Sequence, residues 1–392
     1  MLESFEQCLV VVPDGVLDAR ALPTHGGVFL IEDRDGRLVL LASAENLRRV
    51  VGGRLTSPPP DQRTKRANLA EVAACVRWRS TFSRFETTLE YWRLARVFDP
   101  QGYRRQIGFG PAWFLRVEVT ERTPRFEVVN AFQADGARCF GPFATRQDAD
   151  EWVHLLEDLF DLCRYHPILV QAPAGQACAY AEMGKCPAPC NGSISLEDYR
   201  RMVIEAADFT AGNHQPRPAA LRATMAAAAA DLAFEKAAAL RQTIERAEAV
   251  VKKPAFRLLA ELPRLCWLVV QRGGPRRRSA RNALVKPFHI RTGAIEVGEA
   301  VKLDGIEAAV PAWLNGCQAG AIPLPASKDE QTARCEVLWL VSKFLFQGEK
   351  APGLFLRFDQ LPDAAGLADL VRRAVSRSDE ATEQEPPALA GG

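Results

Sequence analysis

Apolar and polar positions run along this chain in two rhythms, and the switches between them divide it into blocks. From 26 to 41, GGVFLIEDRDGRLVLL places two short apolar runs on either side of an acidic turn carrying Asp35-Gly36, which predicts a β-hairpin. AENLRRVVGGRL predicts a short helix ended by Gly52-Gly53, and PPPDQRTKR at 58–66 predicts a loop. FETTLEYWRLARVF has helical spacing through Phe85, Leu89, Trp92 and Val97. Residues 111–134 alternate well enough for two strands, GPF at 141–143 predicts a turn, and DADEWVHLLEDLFDLC a helix. Ser195 with Asp198 opens a further helix that Gly212-Asn213 stops. An Ala-rich stretch entered by Pro216 and Pro218 predicts two closely packed helices reaching about residue 253. Beyond 256 the rhythm turns to strands in LCWLVVQ and KPFHIRTGAIEVG, then to an amphipathic helix, DEQTARCEVLWLVSKFLFQG.

These blocks predict an α+β, multidomain chain. A small α/β domain covers 1–110, and a strand and helix connector with a cysteine-rich loop covers 111–195. A helical region follows over 196–255 and a C-terminal α/β segment over 256–375. The acidic, Pro- and Gly-bearing residues 376–392 read as a disordered tail.

Composition changes this picture little. The net charge of +2 says nothing about nucleic acid, and no apolar run reaches the ~20 residues a membrane helix needs. With acids where a signal peptide carries a basic start, the chain is expected to be cytoplasmic, with no membrane partner. Its ten cysteines are then expected as free thiols or metal ligands. Cys8, Cys75, Cys139, Cys266, Cys317 and Cys335 are scattered among apolar residues and read as buried structural thiols.

The others gather. Cys178, Cys186 and Cys190 lie in CAYAEMGKCPAPC, with Cys163 at the end of the preceding helix and His166 as an alternative fourth ligand. Short gaps reduce the chain entropy lost when thiolates converge on a metal, and Pro-Ala-Pro stiffens the loop. Spacing alone leaves zinc and an iron–sulfur cluster both open.

GPFATRQDADEWVHLLEDLFDLC, followed by the cysteine run and SLEDYRRMVIEAADFTAGN, resembles the central region of the UvrC/Cho family of bacterial nucleotide excision repair. The resemblance implies a [4Fe–4S] cluster on Cys178, Cys186 and Cys190. Cys163 is the fourth candidate, although the family's first cysteine would fall at Tyr165. It also covers the Ala-rich hairpin, where Phe234, Glu235, Ala238, Leu240 and Arg241 match the UVR motif and imply binding to a UvrB-like helicase.

The N-terminal module resembles a GIY-YIG nuclease domain in layout. That family hydrolyses phosphodiesters with one divalent metal, a glutamate, a tyrosine and an arginine. Here Phe29 and Leu40 stand where the tyrosines belong, Ser43 at the usual lysine position, Val50 at the arginine position and Tyr91 at the metal glutamate. Phenylalanine and leucine cannot transfer a proton. The module is therefore expected to be degenerate and inactive. The alternative is an active, Cho-like metal-dependent endonuclease that uses a rearranged site of Arg48, Arg49 and Glu90, and a divalent metal is implied only then.

A local basic run hides in the neutral total. Arg276, Arg277, Arg278, Arg281 and Lys286 lie between two expected strands and predict a flexible cationic loop for DNA phosphates. A counterpart of the family's RNase H-like second nuclease domain is not expected within these residues.

Overall fold

The structure, a computed structural model, describes residues 7–10, 21–55, 69–81, 83–131, 136–253, 259–273, 283–316, 327–345 and 353–383, together with Phe5, Phe256 and Pro325. Three antiparallel sheets among these residues, each packed against helices, make the chain α+β. The first sheet contains β1 (Gln7–Val10), β2 (Gly27–Glu32), β3 (Leu38–Ala44) and β4 (Cys75–Ser80), in the order β1-β4-β2-β3. The Asp33 carboxylate closes the expected hairpin by accepting from the N–H groups of Asp35 and Arg37, while Gly36 takes a φ of 74°.

Both faces of this sheet are covered, so every residue of β2 is buried. Phe29 and Ile31 pack under α1 (Leu47–Leu55), and Val28 and Leu30 pack under α2 (Arg84–Phe98). Helix α1 runs through Gly52-Gly53 and does not end there, because Leu47, Val51 and Leu55 bury one stripe against the sheet. On α2, Phe85, Leu89 and Trp92 are buried as expected, whereas Val97 is exposed. A short α3 (Tyr103–Ile107) follows.

The middle sheet comprises β5 (Trp113–Val117), β6 (Phe126–Val129), β7 (Arg138–Phe143) and β8 (Ala260–Glu261), in the order β6-β5-β7-β8. Gly141-Pro142-Phe143, expected as a turn, is the end of β7, opposite a register slip in β5. A capping box between Thr145 and Asp148 starts α4 (Arg146–Leu159). Two one-turn helices, α5 (His166–Leu169) and α6 (Ala179–Glu182), carry the cysteine-rich loop to α7 (Leu196–Thr210). The Ala-rich pair is α8 (Pro216–Ala230) and α9 (Phe234–Val251), joined at Leu232 with φ 60°.

The C-terminal sheet holds β9 (Cys266–Gly273), β10 (Leu284–Arg291), β11 (Ala294–Val297) and β12 (Val301–Lys302). Beyond these come α10 (Ile306–Gly316), α11 (Lys328–Leu345), β13 (Leu354–Arg357) and α12 (Ala364–Glu383). Helix α12 continues to Glu383, into the acidic segment expected as a tail.

This C-terminal sheet and α11 share one hydrophobic core with α2, so the two ends of the chain meet in space. Phe85 packs edge-on against Phe288, with ring centroids 5.4 Å apart. Glu336 of α11 is 3% exposed and accepts from Trp92 Nε1 at 2.9 Å and from the Tyr103 hydroxyl at 3.0 Å, with Arg104 Nε at 3.3 Å. A carboxylate this buried is tolerated because its lone pairs are met by three donors. Of the scattered cysteines, Cys139 is buried, while Cys75, Cys266 and Cys335 are half-buried. Cys317 and the side chain of Cys8 lie outside the description.

Candidate functional site

The thiols are positioned by α4, α7 and the loop between them. Three residues after the C-cap of α4, the Cys163 backbone N–H donates to the hydroxyl of Tyr199, which is 1% exposed on α7. Cys178 is the N-cap of α6. Cys186 and Cys190 are buried on either side of Ala188, whose φ of 54° is a left-handed conformation costing roughly 1–2 kcal/mol for a residue with a Cβ. Gly175 donates its N–H to the Cys190 carbonyl at 2.9 Å, and a Cβ at Gly175 would lie 3.0 Å from that oxygen, a tight contact that glycine avoids.

The sulfurs interact. The Cys163 thiol donates to the Tyr165 carbonyl at 3.6 Å, and a side-chain hydrogen bond between Cys163 and Cys186 lowers Cys186 to about 6, helped by the Ala188 backbone and the charge of Arg164. That bond, followed by burial, pushes Cys163 up. Burial, then Cys186, raises Cys190, and the field of Cys178 also reaches it. Nearby, His166 keeps Nε2 buried without a hydrogen-bond partner. Among the described residues, no group of three or more His, Cys, Asp or Glu stands at metal-binding geometry. The donors themselves suit a thiolate-bound centre: free cysteines, one held toward the thiolate by a neighbouring thiol and an arginine.

Arg164, which sequence reasoning passed over, is the clasp of this loop. Its guanidinium stacks on Tyr180 at 4.5 Å, pairs with Asp158 and with Glu157 at 3.7 Å, and donates to the Lys185 carbonyl at 3.3 Å. Asp158 also pairs with Arg246 of α9, and Arg217 of α8 donates to the Leu159 carbonyl at 2.7 Å and pairs with Asp161 at 3.1 Å. The hairpin base is thus tied to the turn that presents Cys163. At its tip, Leu232 and Phe234 are 71% and 65% exposed. Glu235, Ala238 and Arg241 are exposed and Leu240 half-buried, and Arg241 pairs with Glu245 at 2.7 Å.

In the N-terminal module a cleft of about 1270 Å³ opens between β3 and α2. Leu40, Ser43 and Tyr91 line it, whereas Phe29 lies buried under α1, on the opposite face of the sheet, with Val50 half-buried beside it. The Tyr91 hydroxyl donates to Gln106 Oε1, and Gln106 Nε2 donates to Asp99 at 2.8 Å. Burial, then Asp99, raises Tyr91, so it stays a neutral donor. Glu90 is 5% exposed and does not line the cleft; its oxygens are held by Arg79 and Arg93, each at 2.6 Å. Arg48 Nε donates to the Leu22 carbonyl at 2.8 Å and Arg49 is exposed, both on α1 across the sheet from Glu90. Arg48, Arg49 and Glu90 are therefore not brought together. The cleft does not fit a divalent metal: its Asp99 oxygens are taken by the Gly102 N–H and Gln106, and no three-ligand group is present among the described residues.

Arg276, Arg277, Arg278 and Arg281 lie outside the described residues. Lys286, expected in a cationic loop, is instead inside β10 and pairs with the buried Glu86 of α2; an inward-facing strand position needs the partner, not solvent. No helix among the described residues is long and apolar enough to cross a membrane.

A cysteine-bearing loop thus lies between a sheet-backed helix and an exposed helical hairpin, in a chain whose N-terminal α/β module carries a cleft. Comparison places one part of it: residues 112–209 match the UvrC/Cho excinuclease middle domain. The UvrABC system protein C of Trichlorobacter lovleyi is 31% identical over 229 residues, covering 58% of this chain and 37% of that protein. That of Salinispora arenicola is 30% identical over 235 residues, covering 59% and 35%. That of Streptomyces griseus is 27% identical over 295 residues, covering 73% and 39%. The chain spans little more than a third of the length of these relatives. No solved structure matches it.

Proposed function

We propose that this chain is a nucleotide excision repair protein that works in the cytoplasm, binding damaged DNA and a UvrB-like helicase. Its N-terminal module serves as a scaffold, not as a nuclease. The observation that carries this reading is the match of residues 112–209 to the excinuclease middle domain. The exposed Leu232 and Phe234 at the hairpin tip supply an apolar surface for the helicase, and the basic run at 276–281 supplies DNA phosphate contacts. Cys163, Cys178, Cys186 and Cys190 would hold a [4Fe–4S] cluster, with zinc as the alternative. Such a centre, when bound, would cross-link the turn after α4 to the loop that carries Cys178, Cys186 and Cys190.

Partner binding tests the reading. Titrating the full chain with a UvrB-like helicase should give saturable binding that Phe234→Asp weakens at least tenfold without changing the circular dichroism spectrum. Binding that is absent, or that Phe234→Asp and Leu232→Asp both leave intact, overturns the hairpin's role.

A further inference from the structure

We infer that the cleft beside β3 is a strand-accepting groove for an extended peptide segment of a partner protein that carries no acidic side chains. The inference goes beyond the repair reading and does not depend on it. All seven residues of β3 line the cleft, side chains of both faces included, so the cleft opens on the strand's hydrogen-bonding edge. Strand β3 pairs with β2 on one side only, and among the described residues nothing pairs with its other edge. Seven residues run ~20 Å, enough to zip against a segment of similar length.

The sequence of β3 agrees. Exposed edges are normally blunted by charge or proline, and β6, β11 and β13 carry Glu127, Glu296 and Arg357. LVLLASA has neither a charge nor a proline. Opposite the edge, Tyr91, Phe98, Ile107 and Phe344 stand among Thr87, Thr88 and Gln106, a mixed wall that can take alternate side chains of an added strand.

Charge chooses the occupant. The cleft's Arg84 lies 6.0 Å over the Phe344 ring, and both Asp99 oxygens are already bonded. A groove for nucleic acid would be lined by several cations along the backbone path, and this one is not. Glu45 also lines the cleft, so two carboxylates face one arginine there, and their complement is a peptide without acidic side chains.

The test uses the full chain and a labelled, capped eight-residue peptide of alternating Thr and Val, with amide hydrogen exchange read at residues 38–44. The peptide should bind saturably and slow exchange there at least tenfold. A peptide N-methylated at alternate residues should lose binding at least tenfold, as should the cleft-filling variant Thr88→Trp. The N-methylated probe keeps the test sound even if that variant misfolds. Three results overturn the inference: no peptide binding, binding indifferent to N-methylation, or protection of 38–44 by an oligothymidylate instead. Protection that appears with protein concentration alone, alongside a dimer in light scattering, would assign the edge to a second copy and also overturn it.

Discussion

Tyr91 and Glu90 are neighbours on one helix, yet a turn of about 100° separates their fates. Tyr91 faces the cleft as a hydroxyl donor fixed by Gln106, and Glu90 is spent between Arg79 and Arg93. The adjacent carboxylate therefore does not replace the one missing at position 91. Arg164 decides the geometry of the thiol loop in the same local way. Replacing it with alanine removes stacking, ion pairs and the Lys185 bond, and should cost ~2 kcal/mol. If the cysteines hold the proposed iron–sulfur cluster, anaerobically purified protein should also lose bound iron and broad visible absorption; lysine, a point charge without a planar fork, should rescue only part. Unchanged iron content in Arg164→Ala would show that the clasp does not position the cysteines.

His214 carries a pH prediction. It packs against Phe209 and Trp152, and burial, followed by the charge of Arg357, lowers it to about 4. The neutral imidazole is the folded form, so the unfolded chain takes up the proton first as pH falls below ~6.5. Its contribution is complete above that pH and disappears on the way down to 4, a loss of ~2 kcal/mol. His214→Phe should flatten denaturation midpoints measured between pH 7 and 4; an unchanged slope would remove His214 as the cause.

At the scale of elements, much was legible where periodicity and caps agreed. The hairpin around Asp35-Gly36, the Ser195 cap of α7, and the α8–α9 pair all stand where patterning placed them. The misses have physical reasons. Gly52-Gly53 did not stop α1, because burial of Leu55 outweighed the entropic cost of two glycines. Gly141-Pro142 sits inside a strand end, where a register slip accommodates it. Lys286 looked like part of a solvated cationic run, since nothing local reveals that Glu86, distant in sequence, awaits it across the interface. The cysteines were legible as a group, but their clasp was not, because Arg164 acts through Tyr180, Asp158 and Lys185 at once and carries no motif.

For the whole molecule, the docking of the C-terminal sheet and α11 onto α2 is the feature that no sequence window contains. Glu336 is its polar centre. Glu336→Ala leaves Trp92 Nε1 and the Tyr103 hydroxyl buried without an acceptor and should cost ~3 kcal/mol, read as a lower urea midpoint. Glu336→Gln, which keeps an acceptor, should cost less. Equal losses would mean that packing alone holds the interface.

The claim that the N-terminal module scaffolds without cutting has one direct measurement. Full chain, UvrB-like helicase and lesion-bearing duplex are incubated with Mg²⁺ or Mn²⁺, and strand scission is followed for wild type beside Glu90→Ala and Tyr91→Ala. The account predicts no metal-dependent incision above background in any of the three. Metal-dependent incision by the wild type that either substitution abolishes would contradict it.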